Sequence, residues 1–374
     1  MADKPKYARW PLQLYRTGYV AALFLTSLAI GGALADHSKL HPVASFYVAM
    51  AIVFCGNTVL IAAHEFGHAI AGALMGWRIA LIAIGPLSIR PQPFRIKLGT
   101  PAMGGSFSGA TWPVPPPSPS GLRAKWIATF AGGPLANFSV AGAGWLVAEA
   151  TPISGIAKVV VLSFSTLSVA KGVLNLMPFK VPLGGRSDGG AIWDLLRGED
   201  PEPRSAILRT FDRTIAGVRP RSWPEYLVTT LTANLQKATG GHEATLLYAY
   251  HLDRAEFAAA RSFLDRALKT NGPVETLLME DAFLSAYGDH DYARAEAFMG
   301  RVRTKRVRRS PRYFQVQAML AFAKNDPCEG ERQIWMARKA LRKTAITTDA
   351  DWDAIQSIED RFAVAPAGSA ASPA

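Results

Sequence analysis

The sequence predicts a mainly α-helical protein with two parts: a polytopic transmembrane helical core with short membrane-surface β-strands, followed by a soluble α-helical repeat domain. Three observations support this fold class. The first half contains long apolar runs, whereas the second half is rich in Arg, Asp and Glu. Basic residues cluster beside the apolar runs, as they do at the cytoplasmic ends of membrane spans. Similar pairs of helical segments recur in the second half at a spacing of about 34 residues, which is typical of helical repeats.

The first element is an uncharged run from Thr17 to Ala35, preceded by a basic N-terminus. About 20 apolar residues are enough to span a bilayer, so this run predicts a transmembrane helix. It ends in Ala33-Leu34-Ala35, which also fits a signal-peptide cleavage site. A retained anchor and a cleaved signal peptide both stay open, and the length of the run favours the anchor.

Three further apolar runs follow, at Val43–Met75, Trp126–Ala148 and Ile153–Phe179. The short connections around residues 36–42 and 150–155 carry a single basic residue, whereas the other connections and both ends are strongly basic. Positive-inside counting therefore predicts four spans with both termini in the cytoplasm. We expect an integral multi-pass membrane protein, most simply of a bacterial inner membrane. The same topology accounts for the net charge of +12, and no nucleic-acid-binding motif is present.

Residues 77–125 separate the second run from the third and contain many Gly and Pro residues. The stretches "IALIAI" and "FRIKLG" have β-strand character, which predicts short strands at the membrane surface. The stretch "WPVPPPSPS" then predicts an exposed extended loop. We therefore expect the domains to run from 1 to 42 for the N-terminus, first helix and external loop, and from 43 to 197 for the core.

The soluble part is predicted to begin with a helical connector at 198–240. Helical pairs then recur over 241–345, with Phe257 and Tyr292 in matching places and Cys328 at nearly the same step. This pattern predicts tetratricopeptide-like repeats, whose concave surfaces bind proteins. An ordinary helical bundle without a partner stays open. Residues 346–374 form a C-terminal segment whose low-complexity tail is expected to be disordered.

The most informative stretch is "LIAAHEFGHAIAGALMG", from Leu60 to Gly76. It places His64, Glu65 and His68 inside an apolar run, where ionisable side chains are costly and usually functional. These residues form H-E-x-x-H, in which the two histidines lie on one face of a helix and can bind one zinc ion. The glutamate is offset around the helix and can act as a general base towards water at the metal. No Cys-x-x-Cys is present, so a thiolate zinc site is excluded.

A catalytic zinc site usually has three protein ligands, so one ligand is missing from the motif. It should be His, Asp or Glu at membrane depth. The other histidines lie in the external loop or the repeat region, and Glu149 lies at the outer end of the third run. The promising candidate is Asp188, because it follows a stretch broken by Pro and Gly whose backbone can leave helical geometry.

Several motifs in this order resemble the site-2 protease family of intramembrane zinc metalloproteases. H-E-x-x-H is followed by G-P-x-x-N at Gly133–Asn137, N-x-x-P at Asn175–Pro178 and Asp188-Gly189, and the resemblance covers about Val43 to Trp193. It implies a transmembrane helical core that binds one zinc ion per chain. The implied ligands are His64, His68 and Asp188, with Glu65 as the catalytic acid and base.

The resemblance also implies supporting residues. Asn175 is expected to bind the substrate backbone or to hold a broken helix, and a packing role between spans stays open. Pro178 belongs to the same N-x-x-P motif, and Gly189 belongs to the Asp-Gly motif. Asn137 lies one helical turn after Gly133 and is expected to point towards the same seam. The chain departs from the family in the insert "FKVPLGGRS", which is somewhat long and basic and puts the position of the aspartate in doubt.

The expected function is hydrolysis of a peptide bond in or near a transmembrane segment of a membrane-anchored protein. Such a segment must be unwound, and an edge strand at Ile79–Ile84 is expected to receive it by β-augmentation. Two alternatives stay open. One is a different membrane-bound H-E-x-x-H protease that acts on prenylated or misfolded proteins and takes its third ligand from a later glutamate. The other is an inactive scaffold that recruits a cytoplasmic protein through its repeats. The lipid bilayer is a partner in each case, and nucleic acid is not.

Overall fold

The computed structural model describes residues 10–38, 40–98, 109–117, 120–179, 186–237, 241–305, 307–344 and 348–363. These residues are mainly helical with few strands, as predicted. The helices are α1 (Trp10–His37), α2 (Pro42–Leu74), α3 (Leu122–Ala150), α4 (Gly155–Leu176), α5 (Asp188–Leu196), α6 (Glu202–Ile215), α7 (Glu225–Lys237), α8 (Gly241–Asp253), α9 (Phe257–Asn271), α10 (Glu275–Tyr287), α11 (Tyr292–Met299), α12 (Pro311–Ala323), α13 (Pro327–Lys343) and α14 (Asp349–Ala363). The strands are β1 (Arg78–Ile84), β2 (Leu87–Pro91), β3 (Phe94–Leu98) and β4 (Gly109–Val114).

The chain divides into an N-terminal unit, Met1–Ser205, and a C-terminal unit, Ala206–Ala374. Among the described residues, three helical segments of the N-terminal unit are long and apolar enough to cross a membrane: Leu12–His37, Pro42–Leu74 and Gly155–Leu176. They correspond to the first, second and fourth predicted runs. Helix α3 has 29 residues, but glycines, a proline and an asparagine interrupt its apolar sequence. The count of four spans therefore stays a prediction.

The four long helices pack side by side: α1 contacts α2 and α4, and α3 contacts α2 and α4. Helices α2 and α3 approach most closely at Gly67 and Gly132. A Cβ atom on Gly67 would lie 2.3 Å from the carbonyl oxygen of Gly132, so no larger residue fits there. Small residues of this kind let helices in a membrane bring their backbones into contact. This close contact brings the H-E-x-x-H motif against the middle of α3.

A buried polar cluster joins the three membrane-capable helices. The Lys171 ammonium of α4 donates to Oδ1 of Asn57 in α2, at 3.0 Å, and lies 3.4 Å from the Tyr19 hydroxyl of α1. That hydroxyl also donates to Oδ1 of Asn57, at 2.6 Å. Each helix contributes one polar side chain, so the cluster ties α1 and α4 to the helix that carries the motif.

The four strands form one antiparallel sheet in the order β3-β2-β1-β4. Strand β1 is paired on both sides, so the expected edge strand at Ile79–Ile84 is wrong, and the outer strands of the described sheet are β3 and β4. The expected exposed loop is also wrong at its beginning, because Trp112 and Val114 are buried in β4. Proline is found mainly on outer strands, and β4, which contains Pro113, is an outer strand of the described sheet.

The sheet packs against the motif-bearing helix. Ile82 and Ile84 of β1 form an apolar cluster with Ile61 and Ala69 of α2. Ile82 and Ile84 are two residues apart in the strand, so their side chains lie on the same face of the sheet. That face covers α2. These α2 residues flank the H-E-x-x-H motif, and the sheet therefore lies beside the motif itself.

In the C-terminal unit, α8 packs on α9, α10 on α11 and α12 on α13. The turn of each pair contains a residue with positive φ, in order Ala255, His290 and Asn325. The second helices begin at Phe257, Tyr292 and Pro327, so Cys328 lies one residue past the position predicted to match. Helices α6 and α7 lie within the predicted connector, and α14 follows the three pairs. The predicted tail, "APAGSAASPA" at 365–374, lies outside the described residues. The interpretation as repeats stays a prediction.

One buried hydrogen-bonded chain links the first helices of the three pairs. The Tyr248 hydroxyl donates to Oε2 of Glu280 at 2.8 Å, and the guanidinium of Arg312 lies 3.2 Å from the same oxygen. Burial, followed by the neighbouring Glu280 carboxylate, raises the pKa of Tyr248 well above its usual value. The phenol therefore stays a hydrogen-bond donor, and the carboxylate accepts from both neighbours.

Candidate metal centre

The H-E-x-x-H residues lie in the continuous helix α2, as predicted. His64 and His68 are one turn apart on the face that meets α3, and both are more than nine-tenths buried. Their rings are perpendicular, and their Nε2 atoms lie 3.1 Å apart. The two imidazoles therefore present one nitrogen each to the same point.

Asp188 completes this group, although it lies 120 positions further along the chain than His68. It is the first residue of α5, and its side chain reaches the imidazole pair. Oδ2 lies 3.1 Å from Nε2 of His64, and Oδ1 lies 3.4 Å from Nε2 of His68. Among the described residues these three form a group that could hold a metal ion. The insert "FKVPLGGRS" therefore does not displace the aspartate from the motif.

The spacing of the three side chains fits a small tetrahedral ion. Zinc binds imidazole nitrogen and carboxylate oxygen at about 2.0–2.2 Å, so two ligand atoms on a tetrahedron lie roughly 3.3 Å apart. The three measured separations lie between 3.1 and 3.4 Å. Two imidazoles and one carboxylate are also donors that zinc accepts. The residues present therefore fit the metal that the motif predicts.

The outer ring nitrogens of both histidines have partners on α3. Nδ1 of His68 lies 2.8 Å from the carbonyl oxygen of Thr129. A carbonyl can only accept, so Nδ1 carries the proton and Nε2 keeps its lone pair for a metal. Nδ1 of His64 lies 3.0 Å from the side-chain amide of Asn137. Metal-binding histidines are commonly oriented by such contacts, and Asn137 therefore acts on the site through His64.

The side chain of Glu65 is not one of the three candidate ligands and contacts the sheet. The hydroxyl of Thr111 in β4 donates to Oε2 of Glu65 at 2.8 Å and lies 2.9 Å from its backbone oxygen. A Cβ atom on Gly109 would lie 2.2 Å from Oε1, so a larger residue there would displace the carboxylate. Sequence reasoning missed both residues, because they reach Glu65 only through the pairing of β4 with β1.

Gly133 permits the close approach of α3 to the imidazole pair. A Cβ atom there would lie 2.4 Å from Nε2 of His68 and 2.7 Å from Cε1 of His64. The glycine of the G-P-x-x-N motif thus keeps open the volume in front of the ligand nitrogens.

Asp188 is positioned by its neighbours at the start of α5. Ser187 caps the helix: its Oγ accepts from the backbone N–H of Gly190 and of Phe179, both at 3.1 Å, and donates to the carbonyl of Met177 at 2.6 Å. A Cβ atom on Gly189 would lie 1.8 Å from the carbonyl oxygen of the last residue of α4, so Gly189 has a packing role. Sequence reasoning missed Ser187, although a serine directly before Asp-Gly-Gly is a typical N-cap signal.

Two other predicted supporting residues lie at the end of α4. Asn175 is half-buried in its last turn, and Pro178 is exposed just beyond the helix. No hydrogen bond within the described part of the chain joins either residue to His64, His68 or Asp188. Their expected roles towards substrate and towards the helix break therefore stay predictions.

No protein-family model, no curated protein and no solved structure matches this chain. The chemistry of the centre therefore follows from its own geometry. That geometry consists of three candidate ligands beside the Glu65 carboxylate, with both histidines on α2, a helix that is long and apolar enough to cross a membrane.

Proposed function

We propose that this chain is an intramembrane zinc metalloendopeptidase of the site-2 protease type. One observation carries the proposal: Nε2 of His64, Nε2 of His68 and the carboxylate of Asp188 converge at separations suited to one tetrahedral ion. The fourth position of such a site is left for water or substrate. The convergence of a distant aspartate with H-E-x-x-H is the arrangement that the family resemblance implies.

The chemistry divides between the metal and the protein. Zinc, when bound, polarises a carbonyl group and lowers the pKa of water. Glu65 is held by Thr111 next to the ligands without occupying a ligand position. Its carboxylate can take the proton of the attacking water and pass it to the nitrogen of the leaving amine. The tight fit at Gly109 limits the movement of this carboxylate.

We propose α3 as the fourth span. At about 1.5 Å per residue its 29 residues extend roughly 43 Å, enough to cross a bilayer. Gly132 and Asn137 face the neighbouring helices and are buried, whereas Leu135 and Leu146 are exposed. Asn137 therefore points inwards, and these two leucines point towards the expected lipid. Four spans place both termini in the cytoplasm, most simply at a bacterial inner membrane.

The sheet also fits contact with lipid. Phe94, Ile96 and Leu98 lie on one face of β3 and are exposed, and Arg95 and Lys97 lie between them. Large apolar side chains exposed together on an outer strand normally have a partner. The bilayer that surrounds α2 is the nearest apolar phase.

The proposed substrate is a membrane-anchored protein cleaved in or near its transmembrane segment. The scissile bond must be in extended backbone, because helical hydrogen bonds shield the carbonyl. An extended segment that pairs with the outer edge of β4 would run beside Thr111 and therefore beside Glu65. This places the expected β-augmentation at β4 in place of β1.

We propose that α8 to α13 are tetratricopeptide-like repeats that bind a cytoplasmic protein. The three pairs have equal turns: positive φ occurs at Ala255, His290 and Asn325, at identical intervals, and the second helix starts two residues later in each case. Asp291 and Asp326 cap the second and third of these helices through their side chains. Equal turns at a period near 35 residues are typical of such repeats.

Metal analysis tests the centre. We expect about one zinc ion per chain in the wild type and in Glu65→Gln, and a large loss of zinc in His64→Ala and Asp188→Ala. Absence of stoichiometric metal from the wild type would refute the proposal. Full retention of zinc in Asp188→Ala would favour the alternative protease class, whose third ligand is a glutamate.

The Glu65→Gln variant then separates a protease from a scaffold. The two proteins should bind equal amounts of zinc, because glutamine removes only the base. We expect an uncut membrane protein to accumulate in cells that carry Glu65→Gln, and quantitative proteomics of the membrane fraction measures it. A scaffold would show no difference between the two strains.

A further inference from the structure

The side-chain amide of Asn137 lies beside His64, and only one of its two polar atoms has a hydrogen-bond partner among the described residues. It is fully buried, and Nδ2 lies 3.0 Å from Nδ1 of His64. Its other amide atom, Oδ1, is buried without a hydrogen-bond partner in the described part of the chain. A buried carbonyl oxygen without a donor is unfavourable and calls for an explanation.

The orientation of this amide decides whether His64 can bind a metal. If Nδ2 donates to Nδ1, then Nδ1 is unprotonated and the proton of the neutral ring lies on Nε2. A protonated Nε2 has no lone pair for a metal. If the amide turns by half a rotation, Oδ1 faces Nδ1, accepts its hydrogen and leaves the Nε2 lone pair free.

The second histidine already shows the metal-competent arrangement. Nδ1 of His68 faces the carbonyl oxygen of Thr129, which can only accept. The two Nε2 atoms point to the same place, so both rings need the same tautomer to share one ion. His64 therefore needs an acceptor at Nδ1, and Asn137 is the residue that lies there.

The backbone of Asn137 is held independently of this choice. The Ser168 hydroxyl of α4 donates to its carbonyl oxygen at 2.8 Å. The side chain can therefore turn about its own bonds while α3 stays in place against α4. Reversing the amide exchanges two atoms of nearly equal size and needs no other movement.

We propose that Asn137 is a positioning residue which accepts a hydrogen bond from Nδ1–H of His64 through Oδ1 and thereby selects the tautomer that binds the metal. This inference rests on the proposed metal centre. Asn137 touches neither the metal position nor the substrate; it acts through the imidazole. Loss of an orienting contact of this kind typically lowers metal affinity by about 10- to 100-fold.

Two substitutions by residues similar in size to asparagine test whether Asn137 acts as a hydrogen-bond acceptor or as a donor towards His64. Asn137→Asp keeps an acceptor and has no donor when ionised, whereas Asn137→Leu has neither. We expect Asn137→Leu to bind zinc about 10- to 100-fold more weakly than the wild type, and Asn137→Asp to bind it within a few-fold of the wild type. Competition with a chromophoric chelator, on the full chain in detergent, measures both affinities.

The control and a second readout address the structure of the site. Ser139→Ala is the matched control, because Ser139 lies on the same helix and is exposed, and its one hydrogen bond among the described residues is to the backbone of Leu135. We expect it to bind zinc as the wild type does. With cobalt in place of zinc, wild type and Asn137→Asp should share the visible absorption of a tetrahedral site, and Asn137→Leu should lose intensity.

Equal losses of affinity in Asn137→Asp and Asn137→Leu would overturn the inference while leaving the proposed metal centre intact. A wild type that holds no metal would overturn the proposed function instead. A measurement on the wild type alone covers the case in which the variants do not fold. Nitrogen-15 NMR of zinc-loaded protein with labelled histidine should show a protonated Nδ1 on both motif histidines. An unprotonated Nδ1 on His64 would overturn the inference.

Discussion

Ser187→Ala should weaken metal binding although the residue touches no metal ligand atom. The Ser187 hydroxyl holds together the end of α4 and the start of α5 by accepting from Phe179 and Gly190 and donating to Met177. Alanine would leave two buried backbone N–H groups and one carbonyl without these partners. Asp188 follows directly and would lose the cap that fixes its position at the first turn of α5.

The magnitude follows from these contacts. Loss of an N-cap costs about 1 kcal/mol, and each buried donor left unsatisfied costs about 1–3 kcal/mol. The N–H of Gly190 is counted both in the loss of the cap and among the unsatisfied donors, so the two costs overlap. We therefore take a total loss of about 3 kcal/mol. Each 1.4 kcal/mol is tenfold in an equilibrium constant, so the metal affinity should fall on the order of 100-fold.

Competition with a chelator measures the affinity, and Ser187→Thr is the matched control because it keeps the hydroxyl. We expect Ser187→Thr to stay within a few-fold of the wild type. If Ser187→Ala binds zinc as tightly as the wild type, the segment between α4 and α5 does not depend on this cap. The position of Asp188 would then have another cause.

Three further predictions concern other contacts. Gly133→Ala should abolish stoichiometric zinc, because its Cβ would lie within 3 Å of both imidazoles, and metal analysis checks this. Thr111→Val should keep zinc, because Thr111 is not a candidate ligand. It should lower the cleavage rate at least about tenfold, because Glu65 loses its orienting hydrogen bond; the substrate to follow is the membrane protein that accumulates uncut in Glu65→Gln cells. Arg312→Ala should destabilise the C-terminal unit by about 2 kcal/mol, because it removes the ion pair with Glu280; urea unfolding followed by circular dichroism checks this.

The chain offers a matched control for each of these variants. Gly142→Ala should be neutral, because no atom of the described residues lies within 4 Å of a Cβ atom there. Thr166→Val removes an exposed hydroxyl that, within the part of the chain that the structure describes, bonds only the backbone of its own helix. Arg332→Ala breaks an exposed pair with Glu329, and such pairs contribute little. A variant that behaves like its control would contradict the contact on which its prediction depends.

Some of the site was predictable from local sequence. H-E-x-x-H occupies five consecutive residues of one helix, and the helical period alone places His64 and His68 on the same face. The Asp-Gly motif after a broken stretch pointed to Asp188, with support from the family resemblance. Local patterns also predicted a mainly helical chain and three of the helices long and apolar enough to cross a membrane.

The contacts that position Glu65 and His64 were less accessible. Thr111 lies in a strand whose end, from Trp112 onwards, was predicted as an exposed loop, because the proline-rich sequence there resembles a linker. Its role depends on the pairing of β4 with β1, which places the hydroxyl 2.8 Å from Glu65. Asn137 was expected near the seam, but its contact with Nδ1 of His64 depends on the close packing of α2 on α3.

The sequence by itself determined the types of candidate ligand, their order along the chain and the apolar helix that carries the two histidines, because these features depend on local composition and on the helical period. Only the tertiary structure decided that Asp188 reaches the imidazole pair, that β1 is an internal strand and that Gly133 leaves room in front of the ligand nitrogens. The physical reason is that these facts concern distances between residues far apart in sequence. Such distances are set by the packing of whole helices and strands, and no single short segment determines that packing.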